Sequence, residues 1–244
     1  AYELGVRLVG SEMCIRDRSK PVDVQEVLAL YDREQRREIE YPGMERQVLP
    51  GMVRHVRPKP GMSFVLYSDL DEVTADAAID EQIAYFRAND LKFEWTVFGH
   101  DRPADLVARL VARGFEAEAP DDVMVLDVAT APPALLAEPA ADVRRLTDPA
   151  QLADVQGILE AVWGGDFSWV HERLGEAMAI PNYLSVYIAY VAAVPACAGW
   201  TYFTLGHFAS LWGGSTLAEY RRQGLYTALL AARVREARAR GVPY

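Results

Sequence analysis

Residues 211–244 read LWGGSTLAEYRRQGLYTALLAARVREARARGVPY and are the most informative part of the sequence. Its beginning extends an apolar run from Phe208 to Thr216 that predicts a strand, and residues 225–240 have the spacing of an amphipathic helix. A basic turn from Arg221 to Tyr226 connects the two. Free N–H groups and the positive end of the helix dipole meet at such a turn and favour an anion. The stretch therefore predicts a phosphate-binding turn.

The composition indicates a cytoplasmic globular protein. At 244 residues and 51% hydrophobic, the chain is long enough for two modest domains or one large one. No run approaches the roughly 18 apolar residues that a membrane span needs. Two cysteines, Cys14 and Cys197, provide no disulfide framework, which predicts a reducing compartment. The histidines are scattered without ligand spacing, so we expect no metal: His55, His100, His171 and His207.

The charge is distributed unevenly along the chain. The net charge of −10 argues against a nucleic-acid partner. Residues 19–142 hold 13 basic and 24 acidic side chains, a net of −11. Residues 143–244 hold 9 basic and 8 acidic side chains, a net of +1. The acidity therefore belongs to the first half, and the half with the phosphate turn is balanced.

Residues 1–18 do not have the pattern of a native beginning. They contain no initiating methionine and no apolar region of a signal peptide. The string SEMCIRDR, residues 11–18, resembles a translated sequencing adapter from environmental gene assemblies. We set residues 1–18 aside from the fold prediction as a non-native leader; a short disordered extension is the alternative.

The first half predicts a mixture of helices and strands. Asp23 and Glu26 form a capping-box pattern at the start of a helix. A second helix is predicted over residues 74–89, and a third opens near Asp101 and ends at Gly114. Strands are predicted at residues 63–69, 92–98 and 123–128. Residues 129–141 are rich in proline and alanine without a period, which favours a linker.

The second half repeats this alternation. Asp148-Pro149 opens a helix that Gly164-Gly165 ends. A shorter helix over residues 168–178 follows, and the final helix has Tyr226 in its predicted buried stripe. Strands are predicted at residues 143–146, 184–191, 197–205 and 208–216, with the second and third forming a hairpin.

This order of elements, together with the basic turn, resembles the GCN5-related N-acetyltransferase (GNAT) superfamily over residues 143–244. The family's acyl-CoA signature is [Q/R]-x-x-G-x-[G/A], and the turn reads Arg221-Arg222-Gln223-Gly224-Leu225-Tyr226. It departs from the signature at Tyr226. The first half resembles a degenerate second copy through Phe93-Glu94-Trp95 and Arg113-Gly114-Phe115.

The resemblance implies an α/β fold with mixed sheets and two GNAT-like units in tandem. The expected boundaries are a degenerate domain at 19–128, a linker at 129–141 and an acyl-CoA-binding domain at 142–244. The second domain is expected to lack the family's final strands. Tandem proteins of the mycothiol synthase type have this organisation, in which one half performs the chemistry.

The resemblance also implies acetyl-CoA as a co-substrate and assigns its contacts. Backbone N–H groups of the turn are expected to hold the pyrophosphate. The end of the preceding strand is expected to pair with the pantetheine arm, with N–H groups of Thr216 and Leu217 facing the thioester oxygen. Because backbone donors bind, the departure at Tyr226 is tolerable. The expected cofactor-binding residues are Ser215, Thr216, Leu217, Arg221, Arg222, Gln223, Gly224, Leu225 and Tyr226.

The implied reaction is direct attack of an amine on the thioester, with an unknown small-molecule or amino-group acceptor. Candidates for the base are Asp166, Glu172 and His207. Asp166 can instead cap the next helix, and the other two can be solvated surface residues. The acid is expected beyond Tyr244. Aromatic residues are dense, and we expect one or two to line a pocket: Trp163, Phe167, Trp169, Tyr187, Trp200, Tyr202 and Trp212.

Two alternatives stay open at this point. One is a non-catalytic tandem GNAT that binds acyl-CoA as a sensor or structural module. The other is an inert fragment, because the strand at 208–216 would present an open edge. Neither alternative implies a metal, a nucleic acid or a membrane.

Overall fold

Two separate sheets organise the chain, one of seven strands and one of four. The structure is a computed structural model that describes residues 5–10, 23–204 and 206–244. The seven-stranded sheet lies in unit 1, whose described residues are 5–10 and 23–125, and the four-stranded sheet lies in unit 2, residues 126–204 and 206–244. Cys14 and most of the predicted leader lie outside the described residues.

Unit 1 is a mixed sheet in the order β2-β3-β4-β5-β1-β6, with β7 beside β1. Strands β2, β3 and β4 are antiparallel, whereas β4, β5 and β1 are parallel. Its core joins the helices of residues 75–88 and 106–111 to the sheet through Ile79, Phe86, Trp95 and Leu110. The elements are β1 Gly5–Gly10, α1 Val24–Tyr31, a π-helical turn Asp32–Arg37, β2 Glu45–Leu49, β3 Met52–Val56, β4 Ser63–Ser68, α2 Ala75–Ala88, β5 Phe93–Phe98, α3 Leu106–Val111, β6 Glu116–Ala117 and β7 Asp121–Asp122.

Two expectations for this unit need correction. Residues Gly5–Gly10, set aside with the leader, form β1 and pair in parallel with β5. The strand predicted at residues 123–128 is wrong, because the strand pairing ends at Asp122. Asp127 then accepts the N–H of Ala129 and caps a short 3-10 helix over Val128–Thr130. A local cap therefore outweighs the β-propensity of the apolar run.

Unit 2 is an antiparallel sheet in the order β11-β10-β9-β8 with helices on both faces. Leu152, Val155 and Leu174 of α5 and α6 pack on one face, against Val186, Ile188 and Trp200. Leu225 and Leu229 of α7 pack on the other face, against Tyr187, Ala189 and Cys197. The elements are α4 Pro133–Leu136, β8 Asp142–Arg145, α5 Leu152–Trp163, α6 Trp169–Met178, β9 Leu184–Val191, β10 Val194–Phe203, β11 Ala209–Thr216 and α7 Leu225–Ala239.

The segment predicted as a linker packs against α7. The N–H of Val128 donates to the carbonyl of Pro243 at 2.8 Å. Val128 and Ala131 are buried in one cluster with Val234 and Ala237 of α7. The apolar side chains of this segment therefore belong to the core of unit 2, whereas its other residues lie at the surface.

The chain after α7 returns to the beginning of β11. The N–H of Tyr244 donates to His207 at 3.0 Å, and its carbonyl accepts the N–H of Ala209 at 2.9 Å. This pair of bonds is the pattern of a parallel bridge centred on Phe208. The rings of Phe208 and Tyr244 stack with centroids 5.5 Å apart. The chain after α7 therefore begins a parallel return beside the beginning of β11, at the end of α7 opposite the basic turn.

Candidate functional site

The junction between β11 and α7 presents an uncapped helix N-terminus. Gly224 is the N-cap in a left-handed conformation, φ +79°, and makes no side-chain cap hydrogen bond. The first-turn N–H groups have no acceptor within the helix itself. The first turn also contains no acidic residue, and all of it lies within the described chain. The junction therefore concentrates positive potential at one exposed point.

The side chains of the basic turn close the loop and leave cationic groups at its surface. Arg221 Nε donates to the Thr216 carbonyl at 3.1 Å, and Gln223 Nε2 donates to the Glu219 carbonyl at 3.2 Å. Arg221 and Arg222 are both exposed, and Arg222 has a φ of +63°. These side-chain hydrogen bonds thus fix the backbone of the loop, and two guanidinium groups lie beside the N-terminus of α7.

The register of β11 separates the three strand residues that were expected to face a ligand. The N–H of Leu217 donates to the Ala196 carbonyl at 3.0 Å. The expectation that Leu217 N–H faces a thioester oxygen is therefore wrong. Backbone N–H groups alternate in direction along an antiparallel strand. The N–H of Ser215 therefore also points towards β10, and the N–H of Thr216 points to the opposite edge of β11. Among the described strands, none but β10 pairs with β11, so Thr216 faces an open edge.

A bulge in β11 shapes the sheet next to this edge. Gly213 pairs with Gly199 and Ser215 pairs with Ala198, so Gly214 is the additional residue. Gly214 has a φ of +89°, and a Cβ there would lie 2.7 Å from Cε2 of Tyr226. The bulge therefore depends on glycine both for its backbone conformation and for the ring that covers it.

The position of Tyr226 differs from the prediction. Its side chain is 49% exposed and its ring covers Gly214. Leu225 takes the first buried position of α7, and Leu229 continues the stripe at i+4. Tyr226 is rotated about one position away from that stripe and extends towards β11. The departure from the family signature thus places an aromatic ring at the mouth of the site.

Sequence reasoning singled out Trp163 only as one of many aromatic residues. It ends α5, its side chain is 69% exposed, and its indole N–H donates to Ser215 Oγ at 2.8 Å. The break at Gly164, φ +70°, ends the helix at this point. Trp163 therefore lies beside β11 as a wall of the site, whereas Trp200 and Tyr187 are buried core residues.

The three candidate bases are positioned differently. Asp166 accepts the N–H of Ser168 at 2.8 Å, and this hydrogen bond lowers the pKa of the Asp166 carboxyl. That contact closes a local turn just before α6, whose N-cap residue, Ser168, makes no side-chain cap hydrogen bond. Glu172 is exposed on α6. His207 is exposed in the turn before β11, where its carbonyl accepts the N–H of Tyr244.

Two tyrosines of unit 2 donate hydrogen bonds to carboxylates away from the junction. Tyr187 donates to Glu236 at 2.8 Å. Burial, and to a smaller extent this hydrogen bond, raises the pKa of Tyr187. Tyr190 donates to Asp154 at 3.0 Å, and burial together with that bond raises its pKa to about 12. Both phenols are therefore structural donors that fasten helices to the sheet.

The matching junction of unit 1, between β4 and α2, already contains an anion. Asp71 Oδ1 accepts the N–H groups of Val73 at 2.8 Å and Thr74 at 2.7 Å. These hydrogen bonds, with Thr74 as the largest cause, lower the pKa of Asp71. Asp76 adds a second carboxylate in the first turn of α2. A bound phosphate would meet negative charge there.

The space between the two parallel strands of unit 1 is also filled. β4 and β5 pair only as far as Val65 and Trp95. Just beyond, the fully buried Arg36 donates through Nε to the Leu66 carbonyl at 3.2 Å. Its Nη2 donates to both carboxylate oxygens of Asp101, at 2.8 and 2.7 Å. An internal ion pair thus occupies the gap where the strands part.

The described part of the chain shows neither a cluster of metal-ligating side chains nor a membrane-spanning helix. The described residues bring no group of three His, Cys, Asp or Glu side chains together for a metal ion. Within residues 5–10, 23–204 and 206–244, no helix combines the length and apolarity needed to cross a membrane.

Solved structures share this fold at low sequence identity. A GCN5-related N-acetyltransferase from Kribbella flavida is 15% identical, with 82% of this chain and 77% of that chain covered and a TM-score of 0.56. A functionally unknown conserved protein from Staphylococcus epidermidis is 14% identical, with 81% of each chain covered and a TM-score of 0.57. No family model and no curated protein matches the sequence. The chain therefore has the fold of a GCN5-related N-acetyltransferase, and the predicted mixed α/β class is confirmed.

Proposed function

We propose that the protein is an acetyl-CoA-dependent N-acetyltransferase whose cofactor site is the β11–α7 junction of unit 2. The observation that carries the proposal is the exposed, uncapped N-terminus of α7 directly after the open edge of β11. The shared fold with a Kribbella flavida acetyltransferase supports the assignment. The acyl acceptor is a small-molecule amine or an amino group of a larger substrate.

The pyrophosphate of the co-substrate would bind at the α7 N-terminus. First-turn N–H groups from Leu225 onward are the donors, and the guanidinium groups of Arg221 and Arg222 supply positive charge. Gly224 brings no carboxylate and no steric barrier, because a Cβ there would meet no atom within 4 Å. The pantetheine arm would then extend along the open edge of β11 past Thr216.

The chemistry follows from that placement. The neutral amine attacks the thioester carbon, and a C–N bond forms as the carbonyl oxygen takes the negative charge. The Thr216 N–H donates to that oxygen. The C–S bond then breaks, the electron pair leaves with sulfur, and the thiolate takes up a proton while the amine loses one to water or a base. Trp163, exposed beside Ser215, would form a wall for the acceptor.

A second candidate is a module that binds acyl-CoA without catalysis. Two observations favour it: the Leu217 N–H donates to the Ala196 carbonyl, and the Asp166 carboxylate already accepts the N–H of Ser168. Fewer groups are then available to stabilise the oxyanion or to accept a proton. In both candidates unit 1 is a degenerate GNAT-like domain without a cofactor, and a cytoplasmic location is part of the proposal.

Calorimetry with acetyl-CoA tests the binding site. The wild-type chain should bind, and the double variant Arg221→Ala, Gly224→Asp should lose most of the affinity because it removes one cation and adds one anion at the helix end. Arg238→Ala at the other end of α7 is the matched control. Equal affinity in the wild-type chain and the double variant would place the site elsewhere.

Thiol release separates the enzyme from the binding module. Acetyl-CoA is incubated with the protein and a panel of polyamines, amino acids and aminated sugars, and free CoA thiol is measured. Acceptor-dependent release that the double variant loses supports the enzyme. Tight acetyl-CoA binding with no release across the panel supports the non-catalytic module.

A further inference from the structure

Arg233 of α7 is a buried cation without a carboxylate partner. Its residue is 2% exposed, and its Nε and Nη2 atoms have no hydrogen-bond partner. Nη1 donates to the Trp212 carbonyl at 3.3 Å. Burial lowers the pKa of Arg233, but a guanidinium keeps its charge at neutral pH. A charge in this position is costly to bury, so its presence calls for a physical explanation.

The neighbouring carboxylate is already occupied. Glu236 lies three residues further along α7, and its oxygens accept hydrogen bonds from Ser185, Tyr187 and Arg240. The polar groups near Arg233 are instead the neutral Tyr226 and Cys197. Its positive charge is therefore not cancelled by the described residues around it.

The location of this charge is the underside of the β11 bulge. Trp212, whose carbonyl receives Nη1, immediately precedes Gly213 and the bulge residue Gly214. On the neighbouring strand, a Cβ at Gly199 would lie 3.1 Å from Arg233 Nη1. The absence of a side chain at Gly199 thus makes room for the guanidinium directly beneath the bulge.

The same group also lies near the aromatic ring that covers the bulge, on the same helix. The guanidinium carbon of Arg233 lies 6.0 Å from the ring centroid of Tyr226. That ring in turn contacts Gly214. Arg233 therefore contributes to the position of both β11 and Tyr226, which border the proposed thioester site.

We propose that Arg233 is a positioning residue that fixes the β11 bulge and polarises the thioester carbonyl bound at Thr216. This inference rests on the proposed function. A positive charge in a water-excluded interior acts over several ångströms with little screening. It favours the tetrahedral oxyanion over the neutral ground state, because negative charge develops at the carbonyl oxygen. The hydrogen bond to Trp212 holds the backbone that presents the Thr216 N–H.

The alternative is that Arg233 only fills space between α7 and the sheet. If the role is structural alone, substitution should lower the melting temperature and the acetyl-CoA affinity. The infrared carbonyl band of the acetyl-CoA that still binds should then be unchanged. Arg233→Gln removes the charge and keeps a donor for Trp212. Arg233→Lys keeps the charge. Arg235→Gln on the same helix, which removes the exposed ion pair with Glu138, is the matched control.

The decisive measurement is the infrared carbonyl band of acetyl-CoA labelled with carbon-13 at the acetyl carbonyl, recorded free and bound. We expect the bound band to lie at lower frequency in the wild-type chain, Arg233→Lys and Arg235→Gln. In Arg233→Gln it should return towards the free position. Once an acceptor is known, kcat should fall about tenfold with KM little changed, a loss smaller than that of a direct oxyanion donor. If the glutamine variant does not fold, Arg233→Met takes its place.

Three results would overturn parts of this account in different ways. An unchanged band shift in Arg233→Gln, with wild-type binding intact, rejects the role of Arg233 and leaves the proposed function standing. A shift lost equally in Arg233→Lys assigns the effect to packing and also rejects it. No acetyl-CoA binding by the wild-type chain rejects the proposed function and this inference together.

Discussion

Units 1 and 2 build the same junction, a strand followed by a helix and a parallel return, but they complete it with opposite charges. In unit 1, Asp71 accepts the N–H groups before α2, and Arg36 with Asp101 fills the gap between β4 and β5. In unit 2, Gly224 leaves the N-terminus of α7 uncapped. The backbone scaffold alone therefore does not make a phosphate site. The free donors must also remain unoccupied by the protein's own anions.

The charge distribution follows the same division. Residues 23–125 of unit 1 hold 12 basic and 21 acidic side chains, a net of −9, whereas residues 126–244 of unit 2 hold 9 and 11, a net of −2. A phosphate group approaching unit 1 would experience repulsion over and above the loss of donors. Sequence charge and local hydrogen bonding therefore point to the same unit.

The largest effect on stability should come from removing the ion pair that fills the junction of unit 1. Arg36→Met leaves the buried carboxylate of Asp101 without its partner, and breaking such a buried pair costs about 3–5 kcal/mol. We expect β4 and β5 to lose protection in hydrogen exchange, while β9, β10 and β11 keep theirs. The double variant Arg36→Met, Asp101→Asn should recover part of the loss because the orphaned charge is gone. Unchanged protection of β5 in the single variant would contradict the importance of the pair.

The next largest effect should come from placing a carboxylate at the uncapped junction of unit 2. Gly224→Asp places a carboxylate at the N-terminus of α7, and we expect acetyl-CoA affinity to fall roughly 100-fold through repulsion of the pyrophosphate. Gly224→Asn has the same shape without the charge, and both residues tolerate a left-handed conformation. The asparagine variant should lose much less affinity in calorimetry. Equal losses in both variants would mean that shape, not charge, decides.

A smaller effect concerns acid stability and should appear in unit 1. His55 is fully buried, it lies 2.9 Å from the Ile39 carbonyl through Nε2, and burial lowers its pKa. The neutral ring is thus favoured in the folded state, whereas the unfolded chain takes up a proton near pH 6.5. Stability is complete above that pH and falls as the pH decreases towards the folded pKa, by at most about 1.4 kcal/mol per pH unit.

Urea unfolding between pH 8 and pH 5, followed by hydrogen exchange of β3, measures this loss. His55→Gln cannot titrate and should flatten the acid limb for unit 1. An identical acid limb in the wild-type chain and the glutamine variant would remove His55 from the explanation.

The smallest effect should follow from removing the anion of unit 1 alone. Asp71→Asn keeps an acceptor oxygen but loses the charge, so we expect a slightly lower melting temperature. Because hydrogen bonding lowers the pKa of Asp71, the difference from wild type should be present at neutral pH and disappear as the pH falls through the folded pKa. No acetyl-CoA binding should appear in unit 1, because Arg36 still fills the gap. New binding, detected in the Gly224→Asp background, would show that Asp71 alone closes the site.

Local signals predicted much of the fold. Asp148 and Pro149 cap and begin a helical segment at the expected place, and Gly164 ends α5. The hairpin of β9 and β10 and the long α7 also match, because each depends on short-range periodicity and turn residues. The uncapped turn at Gly224 belongs to the same class of local feature.

The missing parts depend on residues far apart in sequence. Arg36 meets Asp101 across the unit, Trp163 meets Ser215, and Leu217 finds its acceptor on β10. No periodicity encodes these contacts, since each depends on the sheet register and on helix placement. The pair Gly213-Gly214 within an apolar run did carry a usable signal for a bulge, because glycine in a strand interior often marks one.

The exposed indole of Trp163 allows intrinsic fluorescence to report on the junction between β11 and α7. Of the five tryptophans, Trp95 and Trp200 are shielded in their cores, whereas Trp163 and Trp212 are 69% and 47% exposed. Acrylamide should quench the red part of the emission first, and a guest lying along β11 should protect Trp163 from it. The chain thus contains its own optical reporter of occupancy, which needs no label and no knowledge of the acyl acceptor.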